Sequence, residues 1–231
     1  MEREREREKM ERGKSELRMA MEELCLLSSG DGEQDQQEQE QQQQQIRSST
    51  MDLICVSKQL LHVLDEIGPT LLVLRQDIQQ NVQRLQDFHA REPSKYASLT
   101  AIVTGEVEEG ISKKTNSCTR TIIWLARSMK FSINLLERLM KNSEVSLKEM
   151  VEEAYKSTLK PFHGWISSAA YRVALSLIPD REIFMQLLMG DCQDLEDFAG
   201  DVMILVSIVH PLLEEINAIL VKHQLESLKS T

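Results

Sequence analysis

Two stretches of the chain carry polar side chains at a spacing that suits the binding of a polar headgroup. Asp77, Asn81 and Arg84 lie at positions i, i+4 and i+7, so one face of a helix would hold all three. Arg120 and Trp124 are also four residues apart. A carboxylate with an amide can bond the hydroxyls of a sugar, and an indole offers a flat face for its ring. An arginine can bind an anion through two parallel N–H groups.

A third block, His163-Gly164-Trp165, follows a proline and a phenylalanine. The imidazole of His163 can donate or accept a hydrogen bond. Gly164 lets another backbone segment or a ligand approach closely. Trp165 is of a residue type that is enriched where proteins meet membranes. Together the three blocks predict a lipid carrier, in which a polar site holds a headgroup and an apolar interior holds a chain.

Each block also has a plainer interpretation when it is taken by itself. Asp77 could form a local ion pair with Arg75 or Arg84 on a solvated helix face. Trp124 and His163 could be ordinary core residues. These alternatives stay open for the single blocks, and only the occurrence of all three blocks in one chain favours a binding site.

The segments that must position these residues have helical periodicity. Glycine and proline are scarce, at 9 and 5 residues, and residues that favour helix dominate. From Met51 onward, apolar residues recur at steps of three and four. Turn signals such as Gly68-Pro69 and the loop 110–116 separate the periodic stretches. We predict one all-α domain of about seven or eight helices packed in layers.

Several helix ends have their own signals. Ser146 and Glu149 have the spacing of a capping box, which places a helix start at Ser146. Asp180 can cap the helix that follows it, which runs to about Leu188. Pro211 is expected to kink or break the last helical stretch, which runs from about Asp191 to Leu228.

Residues 1–50 are predicted to be a charged, Gln-rich, low-complexity tail, and residues 51–231 the lipid-binding domain. Positions 36–45 are almost entirely Gln and Glu, and such a stretch cannot bury enough apolar surface to fold. Within the tail, 16–27 could form a short amphipathic helix with Ser15 as its N-cap. We expect the tail to be disordered, and a protein partner could bind it.

Composition and motifs argue against several classes of function. The net charge of -10 is unfavourable for binding nucleic acid. The four cysteines include no CxxC pair and the five histidines have no metal-ligand spacing, so we expect no metal site and no cofactor. Cys118 and His163 could in principle pair as nucleophile and base, but a lone cysteine usually behaves as a small buried hydrophobe. We therefore expect that the protein is not an enzyme.

The sequence also predicts where the protein works. The N-terminus lacks the apolar core of a secretory signal, and no apolar run approaches the ~20 residues of a membrane span. We expect a soluble protein of the cytosol, with reduced thiols, that contacts membrane surfaces transiently.

Residues 52–225 resemble the glycolipid transfer protein family. The resemblance rests on three motifs: Asp77-xxx-Asn81-xx-Arg84, Arg120-xxx-Trp124 and His163-Gly164-Trp165. The surrounding sequence is similar to plant relatives of the accelerated-cell-death ceramide-1-phosphate carrier. The resemblance implies a two-layer sandwich of about eight helices that holds one sphingolipid. It also implies lipid transfer between membranes without ATP or metal.

The family resemblance implies a role for each motif residue. Asp77 would accept a hydrogen bond from the ceramide amide N–H, and His163 would donate one to the ceramide carbonyl. Trp165 would help the protein to dock on a membrane. The headgroup itself would contact four further residues: Asn81, Arg84, Arg120 and Trp124.

The motifs leave the headgroup open between a sugar and a phosphate. Sugar-binding members resemble this chain at Asn81 and Trp124, whereas they usually carry a lysine at the position of Arg84. Arg120 matches an arginine of the phosphate-binding branch, and a phosphate favours a second convergent cation, such as Arg84 or a lysine of the preceding loop. The ligand that the resemblance implies is thus ceramide-1-phosphate or a simple glycosphingolipid. The alternative function is a lipid-sensing or scaffold protein that binds sphingolipid without bulk transfer.

Overall fold

A computed structural model describes residues 15, 17–18, 49–67, 72–141, 144–192 and 194–230. Within these ranges the chain forms eight α-helices and no strand, which confirms the predicted all-α class. The helices are α1 (Thr50–Ile67), α2 (Leu72–Arg91), α3 (Leu99–Glu108), α4 (Cys118–Lys141), α5 (Leu147–Thr158), α6 (Trp165–Ser176), α7 (Arg181–Met189) and α8 (Leu195–Lys222). Most of the predicted tail lies outside the described residues.

Helix α4 is the centre of the fold. It packs against α1, α2, α3, α5 and α8. Most of its side chains are buried, including Ile122, Ile123 and Leu125, because neighbouring helices cover it on several sides. A helix that is enclosed in this way can carry functional side chains with little freedom to move, and both Arg120 and Trp124 lie on it.

Local capping explains where two of the helices begin. The Ser146 side chain accepts from the Glu149 backbone N–H, and the Glu149 carboxylate accepts from the Ser146 N–H. The predicted capping box is therefore confirmed. Asp180 occupies the N-cap position of α7 as expected, but its side chain makes no capping hydrogen bond there.

The last helix is continuous, so of the kink or break predicted at Pro211, the break is wrong. Helix α8 runs through Pro211, where the ring removes one backbone donor. Buried residues on both sides of the proline, including Val202, Val209 and Ile216, hold the two halves in one helix. Among the described helices α8 alone is, by length and composition, apolar enough to cross a membrane, and 28% of its most apolar window is buried. Here α8 packs against α3 and α4.

The start of α4 depends on a carboxylate from α3. Glu106 is buried, and its two oxygens accept the backbone N–H groups of Cys118 and Thr119, each at 2.8 Å. These N–H groups have no partner within their own helix, and the positive end of the helix dipole favours the negative charge. The contact therefore fixes the register of α4, and with it the position of Arg120.

Replacing this carboxylate should destabilise the whole domain. We expect Glu106→Gln to lower the free energy of unfolding by about 2 kcal/mol, because a charge-assisted double acceptor is lost in a buried place. Urea denaturation measures this. Glu108→Gln is the matched control, since Glu108 lies on the same helix and is exposed. Equal midpoints for the two variants would contradict the capping role.

Candidate functional site

A cavity of about 380 Å³ opens between α2, α4, α5 and α6. The structure places all six predicted headgroup residues on its wall, namely Asp77, Asn81, Arg84, Arg120, Trp124 and His163. They come from three segments that are distant in sequence. The cavity therefore gathers a carboxylate, an amide, two guanidinium groups, an indole and an imidazole around one space.

Helix α2 presents its polar face to the cavity because its apolar face is buried. Ile78 and Val82 lie in the core. The Asn81 side chain donates from Nδ2 to the Asp77 backbone carbonyl at 2.9 Å, which fixes the amide and leaves its oxygen as an acceptor. Arg75 pairs with Asp65 on α1, so it is not the partner of Asp77 that the plainer interpretation allowed.

The Asp77 carboxylate has competing influences on its ionisation. Loss of solvent around the carboxylate raises the pKa of Asp77 above its usual value, and the positive charge of Arg84 opposes that rise. The side chain still has access to solvent at the cavity. Such a carboxylate is a hydrogen-bond acceptor that is only partly satisfied by water, and it can exchange that water for a ligand N–H.

Arg120 contacts both the cavity and the C-terminal segment. It lines the cavity, and its Nη2 donates to the backbone carbonyl of Lys229 at 2.7 Å. Desolvation lowers the pKa of the Arg120 guanidinium from its ordinary value. One of the five N–H donors is therefore used by the C-terminal segment, and others remain for a ligand.

Arg127, two turns further along α4, does not line this cavity. It donates from Nη1 to the Leu228 carbonyl at 2.6 Å and from Nη2 to the Glu226 carbonyl at 2.9 Å. Its guanidinium carbon lies 3.5 Å from the centre of the Phe162 ring. Burial, followed by the charge of Arg120, lowers the pKa of Arg127 to about 10. Arg127 is therefore an anchor for the C-terminal segment.

His163 lies half-buried between aromatic rings. Its ring centre is 5.6 Å from that of Trp124 and 5.5 Å from that of Tyr155. Its Nδ1 lies 3.3 Å from the Tyr155 hydroxyl. Burial and the nearby charge of Arg127 lower the pKa of His163, so the neutral imidazole is favoured at physiological pH. Neutral histidine has one N–H to donate and one nitrogen that accepts.

The C-terminal segment completes the wall in a way that the sequence did not predict. The Ser230 hydroxyl lines the cavity and accepts from the Gly164 N–H at 2.8 Å, while the Ser230 N–H donates to the Phe162 carbonyl at 2.8 Å. A Cβ on Gly164 would lie 3.5 Å from the Ser230 hydroxyl, an ordinary contact distance, so space alone does not require glycine there. The segment joins the block around His163 to α4.

A second, apolar cavity adjoins the first, whose wall carries apolar side chains such as Val151, Leu159 and Leu175 beside the polar ones. The second cavity has a volume of about 70 Å³ and lies between α1, α4, α7 and α8. Leu74 and Phe131 line both cavities, so the two cavities meet at these side chains. A ligand with a polar end and a hydrocarbon chain matches this order of surfaces.

Trp165 lies outside the cavity, at the first turn of α6, where 82% of its surface is exposed. Ile166, Val173 and Leu177 are also exposed, at steps of seven and four residues. Helix α6 therefore presents an apolar face to solvent while Ser167 and Tyr171 line the cavity.

Cys118 is poorly suited to act as a nucleophile. The side chain is buried, and burial together with the charge of Glu106 raises the pKa of the Cys118 thiol well above its usual range. A thiol that stays protonated is a poor nucleophile. Within the described residues, no group of three acidic, histidine or cysteine side chains is arranged to hold a metal ion.

The depressed pKa of His163 predicts a pH-dependent stability. The unfolded chain takes up a proton near the ordinary histidine pKa of 6.5, before the folded chain does, so acid favours unfolding. The unfolding free energy of the native protein, measured relative to His163→Gln, should fall below about pH 6.5 and be constant above about pH 7.5. Urea titrations at several pH values test this. If the difference in unfolding free energy between the native protein and His163→Gln does not change with pH, His163 does not have the half-buried surroundings near Arg127 that lower its pKa.

Arg127 should hold the C-terminal segment in place. We expect Arg127→Lys to lower the unfolding free energy by about 1–2 kcal/mol, because the planar pair of hydrogen bonds is lost while the charge remains. Amide exchange of residues 226–230 should accelerate. Arg138→Lys is the matched control on α4, since Arg138 pairs with Glu153 near the surface. Unchanged exchange at 226–230 in Arg127→Lys would refute the anchor.

Comparisons with known proteins agree on one family. The sequence profile described as Glycolipid transfer protein (GLTP) matches residues 48–190. Glycolipid transfer protein 3 of Arabidopsis thaliana is 42% identical over 171 residues, which cover 74% of this chain and 73% of that protein.

Two solved structures show the same fold. The structure of FAPP2, described as selecting simple glycosphingolipids with the GLTP-fold, has a TM-score of 0.69 and 26% identity and covers 79% of this chain and 90% of its own. A variant of Arabidopsis accelerated-cell-death 11 complexed with ceramide-1-phosphate has a TM-score of 0.69 and 17% identity, covering 91% and 98%. These matches confirm the predicted two-layer helical sandwich.

Proposed function

This chain belongs to the glycolipid transfer protein family, and we propose that it binds one ceramide-based lipid and carries it between membranes without a vesicle. The observation that supports this most is the single cavity that gathers the six polar residues and adjoins an apolar cavity. A lipid with a polar headgroup and hydrocarbon chains fits that order. No metal, cofactor or nucleotide is part of the proposal.

The ceramide amide needs two partners when it leaves water. An unpaired amide group in a dry site costs about 1–3 kcal/mol. We assign the amide N–H to the Asp77 carboxylate and the amide carbonyl to an N–H of His163. The lowered pKa of His163 keeps its ring neutral, so it can donate without bringing an unpaired charge into the cavity.

The headgroup we favour is a simple sugar. Asn81 presents a fixed amide oxygen, Trp124 offers a ring face, and Arg84 offers N–H donors. Arg127 is committed to the carbonyls of the C-terminal segment, and Arg120 has one donor engaged there. A phosphate would need convergent free cations, and these commitments reduce their number.

Ceramide-1-phosphate is the second candidate. Arg84 and Arg120 both line the cavity, so two guanidinium groups face the same space. Transfer of fluorescent glucosylceramide and fluorescent ceramide-1-phosphate between donor and acceptor vesicles decides between the headgroups. Faster transfer of the sugar lipid supports Asn81 and Trp124 as the selecting residues, and faster transfer of the phosphate lipid would replace them with the arginine pair.

The same assay decides between transport and sensing. Binding of sphingolipid without transfer would favour the lipid-sensing or scaffold alternative. We place the protein in the cytosol, in transient contact with membrane surfaces through the exposed face of α6. A protein partner for the N-terminal tail remains a prediction.

Loss of the Asp77 carboxylate should abolish lipid uptake while the fold is retained. Asp77→Val removes the acceptor for the amide N–H, and the position has access to solvent, so the core is not disturbed. The raised pKa of Asp77 means that its ionised form is less favourable in the folded protein, so the variant should be no less stable near neutral pH. Uptake of fluorescent glucosylceramide and a urea midpoint report the two effects.

Asp87→Val on the same helix is the matched control, because Asp87 is exposed and lies outside the cavity. It should bind lipid like the native protein. Normal lipid uptake by Asp77→Val, or an unfolded variant, would refute the role that we assign to the carboxylate.

Trp165 should act on transfer more than on binding. Trp165→Ala removes an exposed indole from the proposed membrane-contacting face, so vesicle-to-vesicle transfer should slow several-fold while the equilibrium affinity changes little. Val221→Ala, which truncates an exposed apolar residue on α8, is the control and should leave both unchanged. Equal losses of transfer and affinity in Trp165→Ala would contradict a docking role.

A further inference from the structure

The described part of the N-terminal segment lies against α8, far from its own place in the sequence. The Ser15 hydroxyl donates to Oδ2 of Asp201 at 2.5 Å, and Nη1 of Arg18 donates to Oδ1 at 2.7 Å. The Ser15 oxygen also accepts the Arg18 backbone N–H at 3.0 Å, which is the predicted N-cap contact. Both oxygens of one carboxylate are thus bonded by residues about 185 positions away.

Asp201 is an unusual residue for its place. It is 2% exposed and lies on α8 between buried Phe198 and Val202. A buried carboxylate is unfavourable unless hydrogen bonds and a counter-charge compensate it. Among the described residues, the bonds to this carboxylate come from Ser15 and Arg18. The docked N-terminal residues Ser15 and Arg18 therefore explain why a carboxylate can stand at this buried position of α8.

Leu17, between the two polar contacts, fills apolar space. It is 2% exposed and lines the 70 Å³ cavity. Its neighbours on the cavity wall come from α1, α7 and α8, among them Val63, Phe184 and Val209. The free volume is well below the ~300–1,000 Å³ of ordinary ligand pockets. A hydrocarbon chain that enters past the boundary between the two cavities needs more room than the docked state leaves.

We infer that the apolar cavity beside α8 is a binding site for this chain's own N-terminal segment, and that Leu17 occupies space which the lipid's hydrocarbon chain takes on loading. The inference rests on the proposed function and adds a regulated step to it. The segment lies outside residues 48–190, which match the family profile. The Ser15 and Arg18 bonds to Asp201 hold the segment in place, and lipid binding displaces it.

Competition between the segment and the lipid has a measurable consequence. A lipid that must displace the segment binds with an apparent affinity reduced by the fraction of open molecules. Weakening the contact with Asp201 should therefore tighten lipid binding, whereas loss of a simple structural contact would weaken binding or leave it unchanged. The expected gain is about fivefold or more.

The test uses the full-length chain and two variants of the contact. Asp201→Asn removes the charge that pairs with Arg18 while keeping side-chain size, and Leu17→Asp prevents the apolar insertion. Asp197→Asn is the matched control, because Asp197 is exposed on the same helix four residues earlier. Amide hydrogen exchange at residues 15–18 and equilibrium uptake of fluorescent glucosylceramide and ceramide-1-phosphate from phosphatidylcholine vesicles are measured on each protein.

The inference predicts faster exchange at residues 15–18 and tighter lipid uptake in both variants, with the control like the native protein. Lipid should also accelerate that exchange in the native protein. Faster exchange without tighter uptake would overturn the competition, and unchanged exchange in lipid-free variants would overturn the docking. Absence of lipid uptake by every protein would overturn the proposed function, while exchange in the lipid-free proteins would still decide whether the segment docks. A urea midpoint confirms that each variant is folded.

Discussion

The buried guanidinium groups on α4 constrain how the site is built. Arg120 and Arg127 lie inside the fold, where an unpaired charge is costly, and each needs hydrogen-bond acceptors. Backbone carbonyls of the C-terminal segment supply them. This requirement draws the end of the chain across α4, and Ser230 then bonds the block that contains His163. The part of the cavity wall that Ser230 forms therefore depends on the hydrogen bonds that Arg120 and Arg127 donate to the C-terminal segment.

The same arrangement separates two kinds of surface. The larger cavity, whose wall carries the six predicted headgroup residues, meets the smaller apolar cavity at Leu74 and Phe131. Helix α6 lines the larger cavity with one face and exposes apolar residues with another. A carrier that takes a lipid from a bilayer needs these three surfaces next to each other: one for the headgroup, one for the chains and one for the membrane. The apolar driving force, ~0.8 kcal/mol per buried CH₂, favours burying a chain once space is made for it.

Much of the fold and of the candidate site could be predicted because periodicity and spacing are local properties. Helical steps of three and four indicated the all-α class, and the i, i+4, i+7 pattern placed Asp77, Asn81 and Arg84 on one face. The features that could not be predicted depend on contacts between segments that are distant in the sequence. Backbone carbonyls accept hydrogen bonds whatever residue carries them, so no pattern indicated that residues 226–230 would bind the α4 arginines. Of the kink or break expected at Pro211, the break does not occur, because the packing of α8 offsets the missing hydrogen bond.

The central claim is that one chain holds one sphingolipid in one site, and native mass spectrometry of the protein mixed with glucosylceramide tests it most directly. We expect a single added mass equal to one lipid, present in the native protein and absent from Asp77→Val. A graded series of lipid adducts that persists in Asp77→Val would contradict it, because adducts of that kind reflect non-specific adsorption to apolar surface. No adduct at all, from a folded protein, would contradict it as well.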